Sequence, residues 1–204
     1  MSQMKIIGLS AMMLASMLAV QPVYAEKGDW IVRFGAAQVD PSENSRGVVP
    51  DNAIGVDDDT QLYVNATYMV NDNVGVEVLA ATPFGHDISL DGTGKIAEAD
   101  QLPPTISVNF HANPDARVRP YAGIGVNYTK FFSEDAVAVI DSINLDSSWG
   151  LAIQAGVDVD INDEWFFNAN IRKIDIETTA RTNLGNIDVT IDPVVISIGI
   201  GKRF

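Results

Sequence analysis

The feature that most constrains this chain is the order of its connections: three tight turns and four long excursions, strictly alternating along the sequence. The turns are Asn71-Asp72-Asn73, Asn113-Pro114-Asp115-Ala116 and Asn162-Asp163, residue types that reverse a backbone within a few positions. The excursions run from Gln38 to Asp59, Phe84 to Pro104, Ser133 to Ser147 and about Thr178 to Ile191, and all four read as exposed loops. The second, with three glycines and two adjacent prolines, reads as loop rather than ladder.

Between the connections lie eight segments in which apolar and polar residues alternate with a period of two, the mark of strands with one greasy side. The first puts Trp30, Val32, Phe34 and Ala36 opposite Arg33 and Gly35. Thr60 to Val70, Val74 to Ala81, Thr105 to Ala112 and Arg117 to Phe132 follow the same rule. The cleanest case sets Trp149, Leu151, Ile153, Ala155, Val157 and Val159 against Gly150, Ala152, Gln154, Gly156 and Asp158. After Trp165 to Arg172, the closing segment places Val194, Ile196, Ile198, Ile200 and Phe204 opposite Ser197, Gly199, Gly201 and Arg203.

Eight strands whose ends both lie at the short-turn side match one plan, an all-β, eight-stranded antiparallel transmembrane up-and-down barrel. A soluble barrel of lipocalin type also alternates, but its apolar face would look inward. The many Gly, Ala and Ser residues on the polar face fit a narrow interior better than a solvated exterior. The aromatic residues agree: Trp30, Tyr68, Phe110, Trp165 and Phe204 share the apolar face at the short-turn end, where a membrane girdle belongs. At the other end Phe84, Tyr128, Phe132 and Trp149 carry the same parity. The opposite parity turns Arg33, Glu77, Arg172 and Arg203 inward with Asn65, Asn109, Gln154, Asp158, Asn168 and Asn170. Charges so enclosed are expected to pair with one another in place of water. Arg172 is also a candidate for selecting what enters.

Thirteen basic residues against 27 acidic ones, a net charge of -14, exclude nucleic acid as a partner, because phosphates demand patches of Lys and Arg. Acidic loops facing a lipopolysaccharide leaflet would be bridged by divalent cations; solubility alone also accounts for the surplus. The triple acid Asp57-Asp58-Asp59 matches no EF-hand spacing and reads as a solvated tip. Residues 1–25 have the form of a secretory signal: Lys5, an apolar run from Ile6 to Val20, and small-residue cleavage style at Val23-Tyr24-Ala25. The barrel is therefore expected over residues 26–204.

Catalysis finds little support. His86 neighbours Asp87, but adjacent residues on an extended segment point apart, and His111 has no nucleophile beside it. Gly123-Ile124-Gly125 and Gly199-Ile200-Gly201 lack the continuation of a phosphate loop, and no Cys/His metal spacing occurs. No cofactor or metal is expected.

Leu79-Ala80-Ala81-Thr82-Pro83-Phe84, Leu102-Pro103-Pro104-Thr105, the run from Arg119 to Thr129 and Asp146-Ser147-Ser148-Trp149-Gly150 resemble the OmpW family, and the likeness extends from Trp30 to the closing Lys202-Arg203-Phe204. The resemblance implies a barrel of the Gram-negative outer membrane with periplasmic termini and a narrow, partly apolar interior. Such barrels are held to pass small hydrophobic molecules across the lipopolysaccharide layer. It makes Leu79 the first candidate for touching such a ligand, and it makes Phe204 the terminal aromatic read by the barrel-assembly machinery. Two departures stand out. Lys202 occupies a position where such closing strands commonly carry an aromatic, and Arg172 stands where the family can present a bulky apolar group. The alternative function is that of a structural or adhesive barrel acting through its loops without transport.

Overall fold

A computed structural model describes residues 27–137 and 140–204; the signal expected over residues 1–25 lies outside them. In chain order the strands are β1 (Trp30–Asp40), β2 (Asn44–Gly47), β3 (Ile54–Val56), β4 (Asp59–Met69), β5 (Val74–Ala81), β6 (Phe84–Leu90), β7 (Gly94–Leu102) and β8 (Thr105–His111). There follow β9 (Val118–Ala136), β10 (Ile143–Leu145), β11 (Ser148–Asp160), β12 (Trp165–Ile174), β13 (Glu177–Thr182), β14 (Gly185–Thr190) and β15 (Val194–Arg203).

Eight of these, β1, β4, β5, β8, β9, β11, β12 and β15, form the wall, each antiparallel to its neighbour. The ring closes because β1 pairs with β15, from Ile31↔Arg203 to Asp40↔Val194. Closure leaves no sheet edge along the wall, the condition for a strand structure to sit in hydrocarbon. The oily side chains look outward: Val76, Ile153 and Ile198 are 37%, 58% and 65% exposed. Arg33, Glu77 and Asn109, on the other parity, are completely buried. Arrangement and parity are those expected from the alternation.

The four excursions are not bare loops. β6 and β7 form a hairpin continuing outward from β5 and β8, and β13 and β14 form another continuing from β12 and β15. β9 runs on to Ala136 and pairs with β7, while β2 and β10 flank the β13–β14 hairpin. Ile88, Ile96, Ile187 and Val189 bury themselves between these hairpins, so apolar burial outweighs the turn-rich composition. The glycines that suggested loop sit mainly at hairpin ends, where Gly92, Gly94 and Gly185 have positive φ. At one hairpin tip Lys95 lies 2.9 Å from Asp87 and also bonds Glu98; these hydrogen bonds hold its ammonium pKa above the usual value.

Phe84 also departs from expectation. It is 2% exposed and points into the barrel, not outward with Tyr128, Phe132 and Trp149. Strand β5 ends at Ala81, and the break at Thr82-Pro83 resets the alternation before β6 begins. Pro83 has no N–H to continue a ladder, so the phase is free to change there.

The bore is narrow because small residues face large ones. Gly156 pairs with Tyr121 across β11 and β9, and a Cβ added to it would lie 2.4 Å from Tyr121 Cζ. Gly156→Ala is expected to destabilise the barrel by about 1–3 kcal/mol through overpacking, read as a lower urea midpoint in lipid vesicles. An unchanged midpoint would mean that the Tyr121 ring moves aside freely.

Candidate functional site

Inward side chains divide the bore into three levels. The outermost is a cavity among the hairpins, lined by Ile54, Ile88, Ile96, Phe131, Ile187 and Val189 with further apolar neighbours. Its polar spots include His86 and Gln101. His86 Nδ1 lies 2.6 Å from the Asp57 carbonyl, which can only accept, so the proton sits on Nδ1. Nε2 then accepts from Gln101 Nε2 at 2.8 Å.

The middle level is a smaller cavity. Leu79, Ala81, Phe84, Pro103, Ile174 and Val195 give it apolar lining, and Tyr63, Asn65, Asn170, Arg172 and Ser197 give it polar lining. Register sets the two kinds of lining side by side: Asn65 lies across from Leu79, Tyr63 across from Ala81 and Arg172 across from Val195.

The third level is a polar floor. Arg33 grips Asp158 with two hydrogen bonds, Nε to Oδ1 at 3.1 Å and Nη2 to Oδ2 at 2.7 Å. Its Nη1 donates to Thr67 Oγ1 at 3.1 Å and lies 3.7 Å from Glu77. Glu77 accepts from Arg172 Nη2 at 2.7 Å, Gln154 Nε2 at 2.9 Å and Asn109 Nδ2 at 3.2 Å. Asn170 donates to Gln154 and to the Tyr121 hydroxyl, and Asn168 donates to Asp158. Beneath, Arg119 forks onto Asp160, which Arg203 also binds, and the Phe166 ring faces Arg33, Arg119 and Arg203 at 5.3–5.7 Å. A carboxylate held this way needs no water, and the floor closes the axis with ion pairs that are costly to open.

The predicted inward residues meet in this assembly: Arg33, Asn65, Glu77, Asn109, Gln154, Asp158, Asn168, Asn170 and Arg172 belong to one hydrogen-bonded cluster, Arg203 binds Asp160 beneath it, and Leu79 stands on the cavity wall beside it. The aromatic candidates lie on the outside. Trp30 packs on Tyr68 with centroids 5.2 Å apart at the short-turn end, where Phe110 and Phe204 are exposed and Lys202 covers Trp165. Tyr128 packs on Trp149 at 4.7 Å at the other end. Sequence reasoning missed Tyr63, Tyr121 and Phe166 as interior residues, although Tyr63 shares the parity of Asn65 and Phe166 that of Asn168, both of which it assigned inward. It also missed the His86–Gln101 pair, because the hairpin carrying it read as loop.

Comparison with known proteins gives the same picture. The model of the OmpW family matches residues 26–204. Outer membrane protein W of Vibrio cholerae is 41% identical over 204 residues, spanning 92% of this chain and 94% of its own. The dibenzothiophene metabolism operon protein PahQ of Pseudomonas aeruginosa is 31% identical, over 90% and 92% of the two chains. Among solved structures, the outer membrane protein OprG from Pseudomonas aeruginosa superposes with a TM-score of 0.82 at 37% identity, covering 89% of this chain and 98% of that one. A closed barrel with an oily exterior, a charged floor and this degree of likeness is a member of the OmpW family, and the chain is an outer-membrane barrel that sits in the lipid bilayer.

Proposed function

We propose that this barrel assists small hydrophobic molecules across the outer membrane, taking them up among the hairpins and releasing them sideways into the bilayer. The observation that carries the reading is the pair of apolar cavities standing on a closed ionic floor. A molecule drawn from water into such a space gains the free energy of apolar burial, and it cannot continue along the axis. Leu79 and Phe84 are the side chains that would touch it.

The wall offers a lateral way out. Pairing between β5 and β8 stops at Leu79↔Thr105 and resumes between β6 and β7 at Phe84↔Gln101. Pro83, Pro103 and Pro104 fall in this interval and carry no N–H, so an opening there strands fewer donors in lipid than an opening elsewhere. Pro103 lines the middle cavity, and the Pro104 carbonyl accepts from Tyr128 N, level with the outer aromatic pair. The relative named for a dibenzothiophene operon adds support, since dibenzothiophene is an apolar ring system.

In this reading the termini face the periplasm, the hairpins stand among lipopolysaccharide, and the two aromatic groups mark the membrane interfaces. Phe204, whose backbone pairs with Trp30 while its ring stays exposed, is the handle for the assembly machinery. No bond-making step is assigned to the protein: His86 is turned inward away from exposed Asp87, and His111 stacks on Tyr121. The test is solute entry into vesicles with lipopolysaccharide in the outer leaflet. The protein is expected to speed entry of naphthalene about tenfold, the effect of lowering a barrier by roughly 1.4 kcal/mol, and to leave glucose unchanged. Entry of neither would support the structural role, and entry of glucose would mean a water-filled pore.

A further inference from the structure

We infer that the middle cavity is a binding site for an amphipathic monocarboxylate, with the carboxylate on Arg172 and the hydrocarbon against Leu79, Phe84 and Ile174. This rests on the passage reading above and names the ligand class that the site prefers.

The argument begins with an incomplete guanidinium. Arg172 is 4% exposed and lines the cavity. Its Nη2 serves both Glu77 Oε1 at 2.7 Å and Gln154 Oε1 at 2.6 Å, yet its Nε is buried without an acceptor. Arg33, in the same floor, differs: its Nε and Nη2 hold both oxygens of Asp158 and its Nη1 reaches Thr67. A buried charged donor left unmatched is costly, so the site gains from any ligand that supplies an acceptor there. Because that donor is charged, the acceptor it binds most strongly is an anionic oxygen, such as one oxygen of a carboxylate.

Charge selects the ligand further. Four guanidinium groups, those of Arg33, Arg119, Arg172 and Arg203, gather in the floor around Glu77, Asp158 and Asp160. An anionic head meets the Nε–H as a charge-assisted acceptor, and a pure hydrocarbon leaves Nε as it is. The apolar lining of the cavity accepts an alkyl or aryl body and excludes a sugar acid.

The test uses the barrel in lipid nanodiscs with ¹⁵N-labelled arginine, titrated with phenylacetate and with 2-phenylethanol, which share a body and differ in the head. Phenylacetate is expected to shift the Arg172 Nε–H resonance saturably at about tenfold lower concentration than the alcohol, and to leave Arg33 unmoved. Arg172→Lys keeps a cation for Glu77 but removes the Nε–H. With its fold verified by the backbone amide spectrum, it is expected to lose about tenfold in phenylacetate affinity. Equal responses to the two probes, or a lysine variant that binds like the parent, overturn the inference. The vesicle experiment separates the two ideas. Naphthalene entry with no preference for phenylacetate leaves the passage reading standing and this one lost. Saturable phenylacetate binding without naphthalene entry does the reverse.

Discussion

Replacing Glu77 by leucine is expected to destabilise the barrel by about 3–5 kcal/mol, because it leaves buried arginine charge without its partner. Glu77 is completely buried and is the acceptor shared by Arg172, Gln154 and Asn109, with Arg33 3.7 Å away. An exposed ion pair would be worth about 0–1 kcal/mol, but none of these charges reaches solvent to recover its hydration. Adding Arg172→Leu to Glu77→Leu removes the stranded cation, while Arg33 keeps both its bonds to Asp158. The double variant is therefore expected to regain more than half of the loss, a coupling measurable by urea unfolding in lipid vesicles. A single-variant cost below about 1 kcal/mol would falsify the account of the floor as a coupled network.

The second large effect is functional. Ala180 is 4% exposed on β13, in the wall of the outer cavity opposite the β6–β7 hairpin's apolar residues. Ala180→Phe fills that space with a ring in place of a methyl group. Naphthalene entry is expected to fall about tenfold, as if roughly 1.4 kcal/mol of binding were lost, with the urea midpoint little changed because the site lies beyond the wall ladder. Entry at the parental rate in a correctly folded Ala180→Phe would show that solutes bypass the hairpins and join the barrel from the bilayer side.

What the sequence disclosed, and what it hid, follow from two kinds of information. Period-two patterning states which face a residue occupies, so Arg33, Glu77, Gln154 and Arg172 were legible as interior and Ile153 and Ile198 as exterior. It does not state height. That Arg33 chooses Asp158, 125 positions away, while Arg172 chooses Glu77, depends on the stagger of strands around the ring, which no local pattern encodes. The hairpins were hidden for a different reason. Gly92, Gly94, Pro103 and Pro104 dominate the composition of their stretch, although they occupy its tip and its base, while His86, Ile88, Ile96 and Gln101 between them carry the burial. Phe84 was misread because a proline break changes the phase of alternation without changing the chain's appearance.

The pairing of β1 with β15 has a kinetic meaning. It joins the first and last strands of the wall, so the contact of longest sequence separation is also the one that completes the structure. Until Val194 to Arg203 arrive, two rows of backbone amides and carbonyls have no mate, and each such group is penalised by several kcal/mol in hydrocarbon. Insertion is thus coupled to completion: a chain interrupted before its ten-residue closing strand has no stable resting place in the bilayer, however well its first seven wall strands pair.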